Sequence, residues 1–249
     1  AARPPQNLGY LAQALDDRGI EFDVLDMRLG YRWKHLKEKI ESFQPDLVGF
    51  SLVSLEYLAS YSLIKKVRDS FPGTATAVGG PHVTVLKEQV LRDCPSIDYG
   101  VVNEGEHTLA ELCRDDTGLG SIKGLIYREG EKLVWNGERP LHEQLDEISW
   151  PRFRKFELNK YIQEMSFNSS RGCPYKCVFC PNKMITSKFR ARSAVNVADE
   201  IEYWYNEGYR IFSYDDDNFT LLKGRVYEIC DEIEKRGLDD AEYRCSNGI

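Results

Sequence analysis

The chain has 249 residues, 42% of them hydrophobic and 29% charged, with a formal net charge of −7. That length suits one large domain or two ordinary ones, and the apolar fraction is enough for real cores. The acidic balance disfavours a protein-wide phosphate-binding surface, so nucleic acid is an unlikely class of partner. No run of eighteen apolar residues occurs, so no membrane span is expected. Seven cysteines without a regular framework point to a reducing compartment, and the cytoplasm is the expected location.

Leu8, Leu11, Ala12 and Leu15 recur at the spacing of one helical face, and Gly19 follows as its stop. Residues 21–26 read as a short strand with Phe22, Val24 and Leu25 apolar. Leu36, Ile40 and Phe43 mark a second helix, stopped by Pro45. Residues 46–52 are a continuous buried strand, and Ile64, Val67 and Phe71 mark a third helix ending at Pro72-Gly73. Further strands are expected at 74–78, running into Gly79-Gly80-Pro81, and at 99–102. The latter runs into Asn103-Glu104-Gly105-Glu106 and a helix carrying Leu109, Leu112 and Cys113. This alternation of strand and helix predicts an α/β fold, a Rossmann-like doubly wound parallel sheet.

In such sheets ligands bind at the carboxyl ends of the strands. The residues there are Asp26 to Gly30, Ser51 to Val53, Gly79-Gly80, and Asn103 to Glu106. They are either plain turns or a site where glycine and a small hydroxyl let a bulky ligand approach the backbone. His82 reads either as facing that ligand or as a solvent-exposed residue at a helix start. His35, His107 and His142 read as surface residues, and Cys94 as part of a surface turn.

Residues 116–160 read as a linker, with a β-hairpin formed by 123–127 and 132–135 around Glu129-Gly130-Glu131. A strand at 162–169 then delivers Cys173, Cys177 and Cys180, spaced C-x3-C-x2-C. Thiolates so spaced can wrap one soft metal centre from a single loop. Zinc would want a fourth Cys or His at ligand spacing, yet the next Cys is Cys230 and no His follows Cys180. An iron–sulfur cluster held by three thiolates would keep one iron open for chemistry. Both metals stay in play from spacing alone, with iron favoured.

Arg190-Ala191-Arg192 precede a helix capped by Ser193, with Val197, Ile201 and Trp204 as its apolar stripe. A strand at 210–214 ends in Asp215-Asp216-Asp217-Asn218. These short acceptors either receive an ammonium group or form a solvated capping turn. Val226, Ile229, Cys230 and Ile233 make the next helical face, so Cys230, like Cys113, is expected in the core. A third strand is expected at 241–246.

The segment Arg171-Gly172-Cys173-Pro174-Tyr175-Lys176-Cys177-Val178-Phe179-Cys180 resembles the radical S-adenosylmethionine (radical SAM) enzymes. The resemblance implies a 4Fe–4S cluster on Cys173, Cys177 and Cys180, at the end of the first strand of a partial (β/α) barrel. It implies S-adenosylmethionine on the open iron, cleaved reductively to a 5′-deoxyadenosyl radical. Phe179 would lie against the adenosyl group, and Asp216, Asp217 and Asn218 would contact the amino-acid part. Arg190 or Arg192 would pair with the carboxylate of that part. An external flavodoxin- or ferredoxin-like electron donor follows as a partner.

Residues 4–113 resemble the cobalamin-binding domain that precedes the cluster domain in one class of these enzymes. The matching pieces are Pro4-Pro5, 8–12, 24–26, 49–51, Val78-Gly79-Gly80-Pro81-His82 and Glu104-Gly105-Glu106. The resemblance implies cobalamin contacts from Asp26, Arg28, Ser51, Leu52, Val53, Gly79, Gly80, Gly105 and Glu106. Domains that ligate cobalt carry Asp-x-His-x-x-Gly, whereas here the loop reads Asp26-Met27-Arg28-Leu29-Gly30. An arginine does not coordinate a metal, so no histidine of this loop holds the cobalt. By the family pattern a first strand precedes Pro4 and further barrel units follow Ile249, so the chain is expected to be truncated at both ends.

The expected whole is a cobalamin-binding-like domain at 1–115, a linker at 116–160 and the start of a radical SAM domain at 161–249. Its expected function is methyl transfer to, or radical rearrangement of, a small-molecule or tetrapyrrole-like substrate. Two rivals are a radical SAM enzyme whose N-terminal domain has lost cobalamin and a non-catalytic cobalamin- or metal-binding module.

Overall fold

A computed structural model describes residues 2–114, 118–186, 188–245 and 247. The chain forms two compact units, one of Ala14–Leu141 and one of Ala1–Gln13 with His142–Ile249. The boundary expected at residues 115 and 116 lies outside the described residues.

Helix α1 (Gln6–Asp16) is followed by α2 (Trp33–Phe43), β1 (Leu47–Ser51), α3 (Tyr57–Ser70) and β2 (Ala75–Gly79). Then come α4 (Pro81–Leu86), α5 (Glu88–Asp93), β3 (Tyr99–Val101), α6 (Glu106–Leu112), β4 (Leu125–Glu129) and β5 (Lys132–Trp135). The sheet runs β1-β2-β3-β4-β5, with β1, β2 and β3 parallel and β4 and β5 antiparallel. The alternating β/α reading therefore holds for the parallel strands.

Three features of this unit differ from the sequence reading. The hairpin β4–β5 is no linker element, because Tyr99, Gly100 and Val101 pair with Tyr127, Ile126 and Leu125. Leu125 and Ile126 are fully buried, and a free hairpin would leave both in water. Residues 21–26 form no strand, although Leu25 packs beside Leu36, Val48 and Val67. A strand exists only by ladder pairing, and among the described strands β1, at the sheet edge, pairs with β2 alone. Cys94 is buried with Leu91 and Ile97 rather than lying in a surface turn, and burial pushes its thiol up.

The second unit holds β6 (Met165–Phe167), β7 (Ser170–Arg171), α7 (Asn182–Ile185), β8 (Arg190–Ala191) and α8 (Ala194–Asn206). It continues with β9 (Ile211–Tyr214), α9 (Lys223–Lys235) and β10 (Glu242–Cys245). Its parallel sheet has the order β10-β9-β6, the opening of a (β/α) barrel, while β7 and β8 form a separate antiparallel pair. Ser246 and Ile249 lie outside the described residues.

Ser193 caps α8 by accepting from the Asn196 N–H, as its position suggests. Val197, Ile201 and Trp204 then pack with Phe167, Phe212, Tyr214, Ile229 and Ile233 in one core. Cys230 is exposed rather than in the core. The next residue along a helix is turned about 100° from its neighbour, so Ile229 inward puts Cys230 outward.

Truncating the fully buried Phe212 to alanine is expected to cost about 3–5 kcal/mol of stability in urea unfolding. Cys230→Ser, at the exposed position, should stay within about 0.5 kcal/mol.

Candidate functional site

The cysteine loop leaves and rejoins the fold through a short stem. Ser170 pairs with Ala191 and Arg171 with Arg190, so β7 and β8 fix both ends of the segment between them. Gly172 has φ +81°, and a Cβ there would run into the Lys188 carbonyl, so this first loop residue has to be glycine. The Cys180 N–H bonds the Cys177 carbonyl at 3.1 Å, folding the far end of the motif into a turn. Cys173 and Cys180 are half-buried, Cys177 is exposed, and all three thiols are free. Val178 and Phe179 are 94% and 88% exposed, an apolar tip of the loop.

These thiols share a loop without converging. Among the described residues no group of three or more His, Cys, Asp or Glu side chains is drawn together as a metal cage. The donor set nevertheless suits an iron–sulfur cluster, being three unpaired cysteines on one open loop with a constrained stem. Closing such a loop is work that metal binding itself performs, since ligand bonds supply folding energy.

Beneath the stem lies a buried network of charge. Asp216, just past β9, is fully buried. Its carboxylate accepts from the Ser169 N–H at 3.2 Å, from the Ser169 hydroxyl at 3.0 and 3.1 Å, and from the Ser170 hydroxyl. Burial pushes the Asp216 carboxyl up, and the Ser170 and Ser169 bonds oppose that shift. Arg225 of α9 donates to the carbonyls of Arg192 at 2.8 Å and Ser169 at 2.5 Å. Arg192 donates to the Asn168 carbonyl at 3.0 Å and the Asn196 Oδ1 at 2.6 Å, and it is ion-paired with the fully buried Glu200.

This arrangement redirects three expected contacts. Asp216 and Arg192 are committed to the protein interior and present no face to a ligand's ammonium or carboxylate. Arg190 is also buried, with Nη1 donating to the His142 carbonyl at 2.8 Å. Asp217 is exposed and Asn218 half-buried, so those two stay open at the strand end. A carboxylate run at a strand end signals a site, but which member turns inward depends on partners far away in sequence.

In the unit of Ala14–Leu141, the expected cofactor residues of the sheet meet at one end. Ser51 pairs with Gly79, the Leu52 N–H bonds the Gly79 carbonyl at 2.8 Å, and the His82 N–H bonds the Leu52 carbonyl at 3.3 Å. Gly80 has φ +98°, and a Cβ would sit 2.8 Å from the Leu52 carbonyl, so the two turns touch through backbone alone. Leu52 is fully buried beneath them, while Ser51 is exposed and Val53 43% exposed. Beyond β3, Asn103 adopts φ +64° and its N–H bonds the Thr84 hydroxyl at 3.0 Å, ahead of Gly105 and the buried Glu106. Asp26 caps the turn Met27–Leu29, and Arg28 folds back on it at 2.7 Å.

The sequence reading named His82 but not its setting. It is buried, not solvent-facing, and stacks on Tyr57 with ring centres 4.9 Å apart. Its Nδ1 lies 3.0 Å from the Ser54 hydroxyl and its Nε2 3.2 Å from the Tyr61 hydroxyl. The ring thereby anchors the segment carrying Leu55 and Leu58, which are 98% and 68% exposed. The two tyrosines four residues apart on α3 were the available signal, since that spacing puts them on one helix face, where their rings meet edge to face.

Burial lowers the His82 pKa below its ordinary 6.5, with Asp93 opposing. The neutral ring's contribution is therefore complete above that value and is lost as pH falls through it toward the lowered one. Urea unfolding between about pH 8 and 5 should show this decline, and His82→Gln should flatten it. Gly80→Ala, forced into positive φ against Leu52, is expected to cost about 1–3 kcal/mol in the same assay.

A family model of the B12 binding domain matches residues 3–113. An uncharacterized methyltransferase of Pyrococcus horikoshii is 32% identical over 246 residues, covering 95% of this chain and 53% of that protein. The anaerobic magnesium-protoporphyrin IX monomethyl ester cyclase of Cereibacter sphaeroides is 29% identical over 252 residues, covering 95% of this chain and 41% of its own. The chain thus spans about half the length of the curated relatives it matches. The radical S-adenosylmethionine methyltransferase TsrM from Kitasatospora setae, solved with tryptophan and aza-SAM, superposes with a TM-score of 0.80 at 22% identity. That match covers 94% of this chain and 49% of TsrM. A second TsrM structure, with cobalamin and a 4Fe–4S cluster bound, superposes at 0.79 and 21% identity. At such identity the likeness shows the fold. Residues 3–113 thus match the B12 binding domain, and a C-x3-C-x2-C loop follows on the opening strands of a barrel, in a fold that the TsrM structures share.

Proposed function

We propose that this chain is the cofactor-binding part of a radical SAM methyltransferase, or of a related radical enzyme. Its substrate would be a small or tetrapyrrole-like molecule. The observation that carries the reading is a loop of three free thiols on a glycine-hinged stem, in one chain with a B12-binding sheet. Cys173, Cys177 and Cys180 would hold the cluster, and Phe179, exposed beside Cys180, would offer its ring to the adenosyl group. Asp217 and Asn218, open at the end of β9, would receive the ammonium of S-adenosylmethionine. When bound, the cluster supplies the electron for reductive cleavage of that cofactor, and the corrin supplies a methyl carrier.

On the corrin side, Gly80 lets the turns after β1 and β2 meet at the sheet end, where the exposed Ser51 could hydrogen-bond a ligand. Val53, Leu55 and Leu58 supply apolar surface next to those turns. Arg28 is engaged with Asp26, so this loop offers cobalt no imidazole. A flavodoxin- or ferredoxin-like donor is the partner class this chemistry requires, and the cytoplasm is its proposed setting. No helix among the described residues is long and apolar enough to cross a membrane.

Anaerobic reconstitution with iron, sulfide and hydroxocobalamin tests the reading. The expected outcome is thiolate-to-iron absorption together with corrin absorption that survives desalting. Cys177→Ala should abolish the first and leave the second. A wild-type protein that takes up zinc rather than iron, or keeps no corrin, overturns the corresponding half of the proposal.

A further inference from the structure

The last rung between β6 and β9 is the bond from the Asp215 N–H to the Phe167 carbonyl, 3.0 Å, with the Asn168 amide bonding the Asp215 carbonyl at 2.9 Å. Past that point the chain turns away toward the cysteine loop, and among the described residues the β6–β9 ladder does not reach Ser169. Asp216 takes the place of a strand there. Its carboxylate receives the Ser169 N–H and both serine hydroxyls, so a side chain prolongs the ladder one residue beyond the sheet.

The carbonyl of the same Ser169 is held from the other direction. It accepts from the Arg192 N–H at 2.9 Å and from Arg225 at 2.5 Å, while Arg225 also binds the Arg192 carbonyl. Ser169 is thus a node at which outgoing and returning chains meet, four residues before Cys173. The groups that hold it are buried and of opposite charge, and they come from the end of β9 and from α9. Arg192 is itself fixed through Glu200 and Asn196 of α8.

We infer that Asp216 is a positioning residue for the cysteine loop, acting with Arg225 through Ser169, and not a contact for S-adenosylmethionine. A ligand contact would need an open carboxylate, and Asp216 has none. Its neighbour Asp217 is exposed. The inference rests on the proposed role of Cys173, Cys177 and Cys180 as cluster ligands.

Asp216→Asn and Asp217→Asn in the full-length protein separate the two roles. In the apoprotein, Asp216→Asn should speed amide hydrogen exchange at residues 169–171 and 190–192 by about tenfold or more, because an ionic acceptor becomes a neutral one. After reconstitution it should alter the electron paramagnetic resonance of the reduced cluster before S-adenosylmethionine is added. KM for S-adenosylmethionine should stay put while kcat falls. Asp217→Asn should leave the exchange and the cofactor-free spectrum alone and raise KM. An Asp216→Asn protein with wild-type exchange and a wild-type cofactor-free spectrum, but a raised KM, overturns the inference. If Asp216→Asn does not fold, Ser170→Ala removes one of the bonds and must move the same exchange and spectral readouts, or the inference fails. Failure of the cluster reading shows itself separately, as a wild-type protein that binds no iron while the apoprotein exchange effect persists.

Discussion

A carboxylate enclosed by protein and satisfied by two serines holds the cysteine loop to its barrel. Burial alone drives a carboxyl toward its neutral form. The Ser169 and Ser170 donors and the nearby Arg225 charge oppose that at Asp216. Buried ionic groups of this sort are weak evidence of net stability, since well-packed apolar side chains can do as well. Their use is directional. Hydrogen bonds to the Ser169 N–H and carbonyl select one path for the chain where it leaves the sheet, which apolar packing would not.

The loop above that support is built differently. It exposes Cys177, Val178 and Phe179, and its thiols stand apart. A constrained stem beneath an open loop suits ligands that must close on a separately loaded centre. The stem keeps the entropic cost of closure to the loop itself. The sheet end in the other unit follows the opposite principle. There Gly79, Gly80, Leu52 and His82 are held together by backbone bonds and close backbone contact.

Parts of this were legible in the residues. The helix from Ser193, with its cap and its Val197, Ile201 and Trp204 stripe, follows local rules of side-chain spacing. The parallel strands β1, β2, β3, β6 and β9 announce themselves as short, mostly apolar runs followed by turns. Where partners decide, the reading fails. The segment 21–26 has the apolar content of a strand but none of the pairing, and β4–β5 has a hairpin's turn without revealing that it extends a sheet. Cys94 and Cys230 were assigned opposite to their burial, one because a turn residue can be covered by a distant helix, the other because a helical face is narrower than its apolar pattern.

By itself the sequence determined the chemistry on offer. Three cysteines at C-x3-C-x2-C, a Gly-Gly turn after an apolar run and an arginine where cobalt would want histidine are local facts, because spacing along a chain sets which donors one loop can present. Tertiary structure decided which charged residues face a ligand and which face the protein. Asp216 and Asp217 are chemically identical and adjacent, yet one is buried beneath the cysteine stem and the other is open. Successive side chains leave the backbone in different directions, and only the serines and arginines brought in from other elements determine which of the two turns inward.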